Sequence, residues 1–336
     1  MRYHGRARRA AILSHIKNVR VLKATIRLAS NREEILPSFP LKIEVPSLRT
    51  DFRDVVEVPS SRAADGEIAI EDRAGRPSAR ISGRRAWFGG PFRRLAREVS
   101  DVRFGFWGNQ GFLYRFALRL LEERHGIFSF HAAGLVDERG PALYVVVGGA
   151  GSGKTVFLLS GLARGLKLFS TETVHFRFAS ASVLWDKGSL VDNVRLGTLV
   201  HDFPKFLPSG ISPTGSTDLW DRKIALDLGP FAASADTLAN PDVVLLLPRI
   251  EEGREGYLRR RVEDPRTAAK AFFDNISQKI AESFILYDSL AVPGQDTPAL
   301  AAARLRAVRR LAVHPTVRLT AKVLSGPARC WGDLLD

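Results

Sequence analysis

Apolar residues in this chain follow two spacings, and each predicts a different element. Continuous runs at Ala142-Leu143-Tyr144-Val145-Val146-Val147 and Val243-Val244-Leu245-Leu246-Leu247 read as strands buried on both faces. Period-two alternation marks Leu41-Lys42-Ile43-Glu44-Val45 and Glu67-Ile68-Ala69-Ile70 as strands, punctuated by Ala64-Asp65-Gly66 and Ala74-Gly75-Arg76-Pro77, so residues 40–90 read as β-rich. From Asn109 to Arg124 the spacing becomes helical, with Phe112, Phe116, Leu118, Leu120 and Leu121 on one face. A strand at Phe128–Phe130 runs on through His131-Ala132-Ala133-Gly134-Leu135-Val136. A turn at Asp137–Gly140 then leads into the 142–147 strand, which predicts a hairpin.

Short strand patterns follow at Leu166–Phe169, Val174–Phe178, Ala181–Trp185 and Ser189–Val194, the last after an Asp186-Lys187-Gly188 turn. Long helices are predicted over 267–286 and 297–312, separated by Pro293-Gly294. Helices mixed with hairpins imply an α/β core with a mixed, partly antiparallel sheet rather than a regular doubly wound one. The expected division is a 1–125 α+β region of unassigned role, a 126–290 nucleotide-binding domain and a 291–336 helical tail.

The segment joining the 142–147 strand to the next helix carries the most chemistry. Gly148-Gly149-Ala150-Gly151-Ser152-Gly153-Lys154-Thr155 fits the phosphate-loop pattern G-x-x-x-x-G-K-[ST] without a mismatch. A glycine-rich turn between strand and helix points backbone N–H groups inward, where they can cradle phosphate oxygens beside the positive end of the helix. Lys154 would reach the terminal phosphates, and the Thr155 hydroxyl would hold Mg²⁺. The loop predicts binding of ATP, GTP or a similar polyphosphate.

Composition narrows the setting. The 336 residues are 45% hydrophobic and 26% charged, which is globular. No apolar run approaches the roughly 18–20 residues of a membrane span. Cys330 is the only cysteine, so an intrachain disulfide and a cysteine-based zinc site are excluded. A cytoplasmic protein is the expectation.

The formal charge of +14 fits either attraction to an anionic partner or a solvated arginine-rich surface. It concentrates between Met1 and Arg32, with nine Lys/Arg residues and no acid before Glu33. There Arg6, Arg8 and Arg9 lead into Ala10-Ala11-Ile12-Leu13 and Ile16, a weakly amphipathic helix pattern. That segment reads as a helix packed on its own domain, as a dock for an anionic partner, or as a transit-peptide composition.

A Mg²⁺-dependent reaction at such a loop needs an acid at the end of a neighbouring strand. The Val243–Leu247 strand ends in Pro248-Arg249, with Asp242 at its far end, so the candidate is Glu172, only 18 residues beyond Lys154. Three blocks then resemble one family. The His131–Val136 strand, the Gly148–Thr155 loop and Arg164-Gly165-Leu166-Lys167-Leu168-Phe169-Ser170-Thr171-Glu172 are similar to the C-terminal domain of HPr kinase/phosphorylase. The resemblance spans roughly 126–178, with looser similarity to about 290. It implies a phosphoenolpyruvate carboxykinase-like nucleotide-binding fold. It also implies Mg²⁺-dependent transfer of a phosphoryl group to a serine or small-molecule hydroxyl, with Glu172, His131 and Lys154 as catalytic residues and Thr155 and Glu172 at the metal.

The departures matter as much. The family's segment ends in two aspartates, and Thr171 stands in place of the first. In Val191-Asp192-Asn193-Val194-Arg195, Asn193 would replace the family's glutamate, with Asp192 adjacent. These changes keep a second class open, a nucleotide-sensing module with little turnover. A third is a nucleic-acid-associated NTPase using the basic N-terminus.

Several single residues have two readings each. His131 either assists phosphate binding and proton transfer or is a satisfied core histidine. His175 either joins a metal or substrate site or is an exposed strand histidine. Arg195, His201 and Lys205 lie where a substrate-facing loop would fall, or on a polar surface. Arg249 would stabilise transferred charge, and Arg259-Arg260-Arg261 reads as a solvated run. No G-x-G-x-x-G at the loop, H-E-x-x-H, G-x-S-x-G or RNA-recognition aromatic motif occurs. The phosphoryl acceptor, the choice between ATP and GTP, and oligomeric state (a homo-oligomer included) stay open.

Overall fold

The computed structural model describes residues 13–38, 47–140, 142–211 and 219–335. The described residues before 126 build a six-stranded sheet from β1 (His15–Val21), β2 (Ala24–Ser30), β3 (Val55–Val58), β4 (Gly66–Asp72), β5 (Ser78–Ser82) and β6 (Arg85–Gly90), in the order β3-β1-β2-β4-β6-β5. Alternation does the work expected of it. Val19 faces Ile26, Leu28 faces Ile68 and Ile70 faces Phe88 in register, and all are buried. That face is covered by α1 (Phe92–Glu98) and α2 (Phe112–His125). Gly126, at φ 58°, ends α2 in the left-handed conformation, and its N–H donates to the Glu122 carbonyl.

The strand expected at 41–45 lies outside the described residues, as does most of the basic N-terminal helix pattern. Its last residue, Ile16, is extended in β1, where pairing with β2 replaces helical hydrogen bonds.

The remainder is organised around a second sheet, made of β7 (Phe128–Asp137), β8 (Ala142–Val147), β9 (Lys167–Ser170), β10 (Thr173–Ala179), β11 (Ser182–Asp186), β14 (Thr237–Ala239), β15 (Asp242–Ile250), β16 (Leu258–Arg261) and β19 (Val317–Ser325). Its order is β14-β11-β10-β7-β8-β15-β19-β16, with β9 paired to β7. β8, β15 and β19 run parallel, and β7, β10, β11, β14 and β16 run antiparallel to their neighbours, so the fold is mixed α/β with mixed sheets. β12 (Val191–Arg195) and β13 (Lys223–Asp227) form a separate antiparallel ribbon. One face of the large sheet packs α4 (Pro265–Ala281) and α5 (Pro298–Ala312), through Phe272, Ile276, Val308 and Leu311. The other packs α3 (Lys154–Ala163) and Trp331.

Two expected boundaries change. The helix expected over 267–286 stops at Ala281, and Phe284–Leu286 is β17 of a hairpin with β18 (Leu290–Val292). Phe284, Leu286, Tyr287 and Val292 enter the core of the N-terminal sheet, so the 126–290 segment shares its core with the 1–125 region. The 291–336 segment is not a helical tail. After α5 it returns as β19, nine residues that pair in parallel with β15, and its Ala321 and Val323 are buried. Among the described residues no helix is long and apolar enough to cross a membrane.

Candidate functional site

The glycine-rich loop leaves the C-terminal end of β8 and enters α3 at Lys154, as the sequence pattern expects. Gly153 sits at φ +99°, and a Cβ there would meet Ile250 Cγ1 at 2.2 Å. Any side chain at this position would therefore strain the backbone and collide with β15. Lys154 folds back over the loop and donates from Nζ to the carbonyls of Gly148 and Gly149, at 2.9 and 3.0 Å. Burial depresses its pKa, opposed by the charges of Glu172 and Asp192. The ammonium is thus held at the loop mouth by its own backbone, next to two carboxylates.

Thr155, one residue on, donates from Oγ1 to Asp192 Oδ2 at 3.2 Å. β12 delivers this acid. Because successive strand residues face opposite ways, Asp192 meets Thr155 while Asn193 points to the N-terminal region and donates from Nδ2 to Thr50 Oγ1 at 3.2 Å. Asp192 is buried, and burial together with the charge of Glu172 pushes its pKa up to about 7, despite the Thr155 hydrogen bond and Lys154.

Glu172 occupies the tight return between β9 and β10, and its Oε2 lies 3.4 Å from His131 Nε2 on β7. Burial pushes Glu172 upward, yet its contact with His131 and the positive charge of Lys154 and Lys223 outweigh this and hold it below the usual range. For His131 burial wins over the attraction of Glu172, so its pKa is lowered. The consistent state near neutral pH is a neutral imidazole facing an ionised carboxylate. An Nε2–H toward Glu172 leaves Nδ1 as an acceptor, and Nδ1 is buried without a partner among the described residues. The His131 backbone is held by Asn275 of α4, whose Oδ1 accepts from the His131 N–H at 2.9 Å.

Thr171 stands where the resemblance places a first acid. Its one hydroxyl proton is shared between the carbonyls of Val191, at 2.8 Å, and Ser189, at 3.2 Å, tying the end of β9 to the start of β12. It is buried, and its proton is committed to the backbone.

A residue absent from the sequence reading completes the acidic cluster. Asp51 follows the short turn Leu48–Thr50 of the N-terminal region and is 4% exposed. Burial, then the negative charge of Glu172, push its pKa well up, against Lys279 of α4 and a hydrogen bond from Asn109. Thr173 Oγ1 donates to the Asp51 carbonyl, and this fixes the corner against β10. Nothing in Ser47-Leu48-Arg49-Thr50-Asp51 signals such a position, because it arises only when two sheets meet. Asn109 Oδ1 and Asn193 Oδ1, like His131 Nδ1, are buried acceptors without a partner among the described residues. Buried acceptors normally find donors.

The other candidates fall elsewhere. His175 is not the exposed strand histidine of the second reading. It is fully buried, stacked on Phe52 at 5.8 Å and paired through Nδ1 with Ser129 Oγ at 2.8 Å, and burial lowers its pKa to about 4. Arg249 lies within β15 with its side chain 79% exposed and paired with Glu251 at 3.0 Å. Arg195 donates to the Trp220 carbonyl, His201 stacks on Trp220 at 5.8 Å, and Lys205 lies 5.1 Å from the Phe206 ring centre. Arg259, Arg260 and Arg261 form exposed β16, with Arg259 on Asp333 at 3.0 Å.

Among the described residues no three His, Cys, Asp or Glu side chains converge as a ready metal cage. Mg²⁺ seldom uses one. It is held by one or two carboxylates with waters and substrate phosphates, and an all-oxygen pair such as the Thr155 hydroxyl and the buried Asp192 carboxylate suits that habit. No protein-family model matches this chain, and no curated protein matches it.

Proposed function

We propose that this chain binds a nucleoside triphosphate, ATP or GTP, with Mg²⁺ on a phosphoenolpyruvate carboxykinase-like phosphate-loop fold, and transfers a phosphoryl group to a hydroxyl in the manner of HPr kinase. The observation that carries the proposal is the 3.2 Å contact between Thr155 and the buried Asp192. A phosphate-loop pattern is thereby joined to an acid at its metal-holding threonine, the combination such transfers require. Thr155 and Asp192 would hold the metal, which when bound neutralises charge on the phosphate oxygens. Lys154 would exchange its two carbonyl contacts for the phosphates. Glu172, ionised and oriented by His131, would accept the proton of the attacking hydroxyl, while the buried acceptors around it would position that hydroxyl. The acceptor is a serine of a protein or a small-molecule hydroxyl.

One observation favours a second reading, a nucleotide sensor with little turnover. Thr171 has both hydroxyl interactions on backbone carbonyls, so this position supplies no group to the chemistry. Calorimetry with ATP, GTP and ADP, with and without Mg²⁺, followed by mass spectrometry for phosphorylated products, separates the two. Lys154→Ala is expected to abolish nucleotide binding. Glu172→Gln is expected to preserve binding and lower turnover by a hundredfold or more, in line with loss of a general base; full turnover would remove Glu172 from that role. Binding without product in the unaltered protein would favour the sensor.

A further inference from the structure

A cavity of about 350 Å³ lies away from the loop, between α1, the turn at Glu34 and Ile35, the Phe106-Trp107 segment and Tyr287 at the turn of the β17–β18 hairpin. Its floor is aromatic: Phe92, Phe106 and Tyr287 are buried, and Trp107 is partly exposed at the wall. Two arginines of α1, Arg93 and Arg97, stand at its mouth. Glu34 also lines the cavity and shares a 3.6 Å ion pair with Arg93, whereas the Arg97 side chain makes no ion pair or hydrogen bond among the described residues and is the cation left for a ligand. An apolar floor with cationic groups at one rim matches a ligand with a flat hydrophobic body and an anionic end. The volume lies at the low end of the roughly 300–1,000 Å³ of small-molecule sites.

The walls of this cavity also reach the acidic cluster. Phe106 and Trp107 begin a loop that carries Asn109, whose side chain lowers the Asp51 pKa, and Gln110, which accepts from Lys279 Nζ. That loop is wound tightly. The Gly108 N–H donates to the Gly105 carbonyl and the Gly111 N–H to the Gly108 carbonyl, and a Cβ at Gly111 would lie 1.7 Å from the Gly105 oxygen. Such a loop has little room to absorb a displacement, so a shift at Trp107 passes on to Asn109 and Gln110. Tyr287 is the second link. Its hydroxyl accepts from the Phe106 N–H at 3.1 Å, and it sits on the hairpin that directly follows α4, the helix bearing Lys279 and Asn275.

We propose that this cavity is a regulatory site for a small aromatic carboxylate, coupled to the candidate nucleotide site through the 105–111 loop. The coupling rests on the nucleotide reading, whereas the cavity's ligand preference does not.

The test uses the full chain and calorimetry with 2-naphthoate, its neutral analogue 2-naphthol, and ATP with Mg²⁺. Naphthoate is expected to bind one to one and at least tenfold more tightly than naphthol. The Arg93→Ala/Arg97→Ala variant, both positions exposed and its fold checked by circular dichroism, is expected to erase that preference. Equal binding of the two probes, no naphthoate binding, or an unchanged preference in the double variant would each overturn the site. Saturating naphthoate is further expected to change ATP affinity by threefold or more, with ATP changing naphthoate affinity by the same factor. Naphthoate binding with unaltered ATP affinity would overturn the coupling alone, and absence of ATP binding would count against the nucleotide reading while leaving the cavity result standing.

Discussion

At the scale of single residues, the site is built from side chains whose neighbours decide their protonation. Asp192 is pushed up from an ordinary 3.8 to about 7 in the folded protein, with burial as the first cause and the charge of Glu172 as the second. The native state therefore keeps a proton that the unfolded chain releases, so this contribution is complete below about 3.8 and lost as pH rises through about 7. Asp192→Asn preserves an acceptor for Thr155 and removes the titration. Denaturant melts between pH 4 and pH 8 are expected to show the unaltered protein losing stability relative to this variant as pH rises; parallel curves would sink the assignment. Thr171 gives a second prediction. A carboxylate there would confront the carbonyls of Ser189 and Val191 in place of the hydroxyl proton they share. Thr171→Asp is expected to lower stability by about 2–4 kcal/mol and to leave turnover no higher. A gain in turnover would mean that the resemblance outweighs local packing. Lys154, Thr155 and Glu172 were legible as candidates because their spacing is local. Asp51 was not, since its meaning depends on contacts with Thr173 and Asn109, 122 and 58 residues away in sequence.

At the scale of elements, the strong periodic segments were readable and the weak ones were not. β8, β15 and α2 announce themselves through continuous or helically spaced apolar residues. The end of α4 was hidden because Phe284 and Leu286 prolong its apolar spacing after the chain has turned extended at Glu282, φ −70° and ψ 135°. β19 was hidden for another reason. Its Arg318 and Lys322 interrupt the apolar run, although it lies between β15 and β16 inside the sheet. Elements distant in sequence are also joined by buried charge. Arg304 of α5 is fully buried and donates to Glu122 of α2 at 2.9 Å and to Asp296. Burial pushes Glu122 up to about 8, although Arg304 opposes it. Removing the cation leaves that acid without its partner. Arg304→Ala is expected to cost about 3–5 kcal/mol, measured by chemical denaturation. Arg304→Met combined with Glu122→Leu should recover part of the loss, because the only partner then left without the cation is Asp296, whose side chain is partly exposed. A mild effect in the single variant would show that α2 and α5 do not depend on this contact.

At the scale of the whole molecule, the candidate site belongs to no single segment. The glycine-rich loop, His131 and Glu172 come from the middle of the chain, Asp51 and Asn109 from the N-terminal region, and Lys279 from the helix that leads into the hairpin. The 126–290 division drawn from sequence cuts through this arrangement. A fragment with those ends would lack β19, and β15, whose Val243, Leu245 and Leu246 are fully buried, would become an open edge. Long apolar edges of this kind recruit other chains. The fragment would also lose α5, whose Val308 and Leu311 close one face of the sheet, and it would expose Phe284, Leu286 and Tyr287, which are buried in the N-terminal core. Hydrophobic burial at about 25 cal/mol per Å² cannot be recovered elsewhere for so many side chains at once. The 126–290 fragment is therefore expected to aggregate or to show no cooperative thermal transition by circular dichroism, while the full chain melts cooperatively. A soluble, cooperatively folded fragment would show that the loop domain is autonomous and that Asp51 is brought to it by docking.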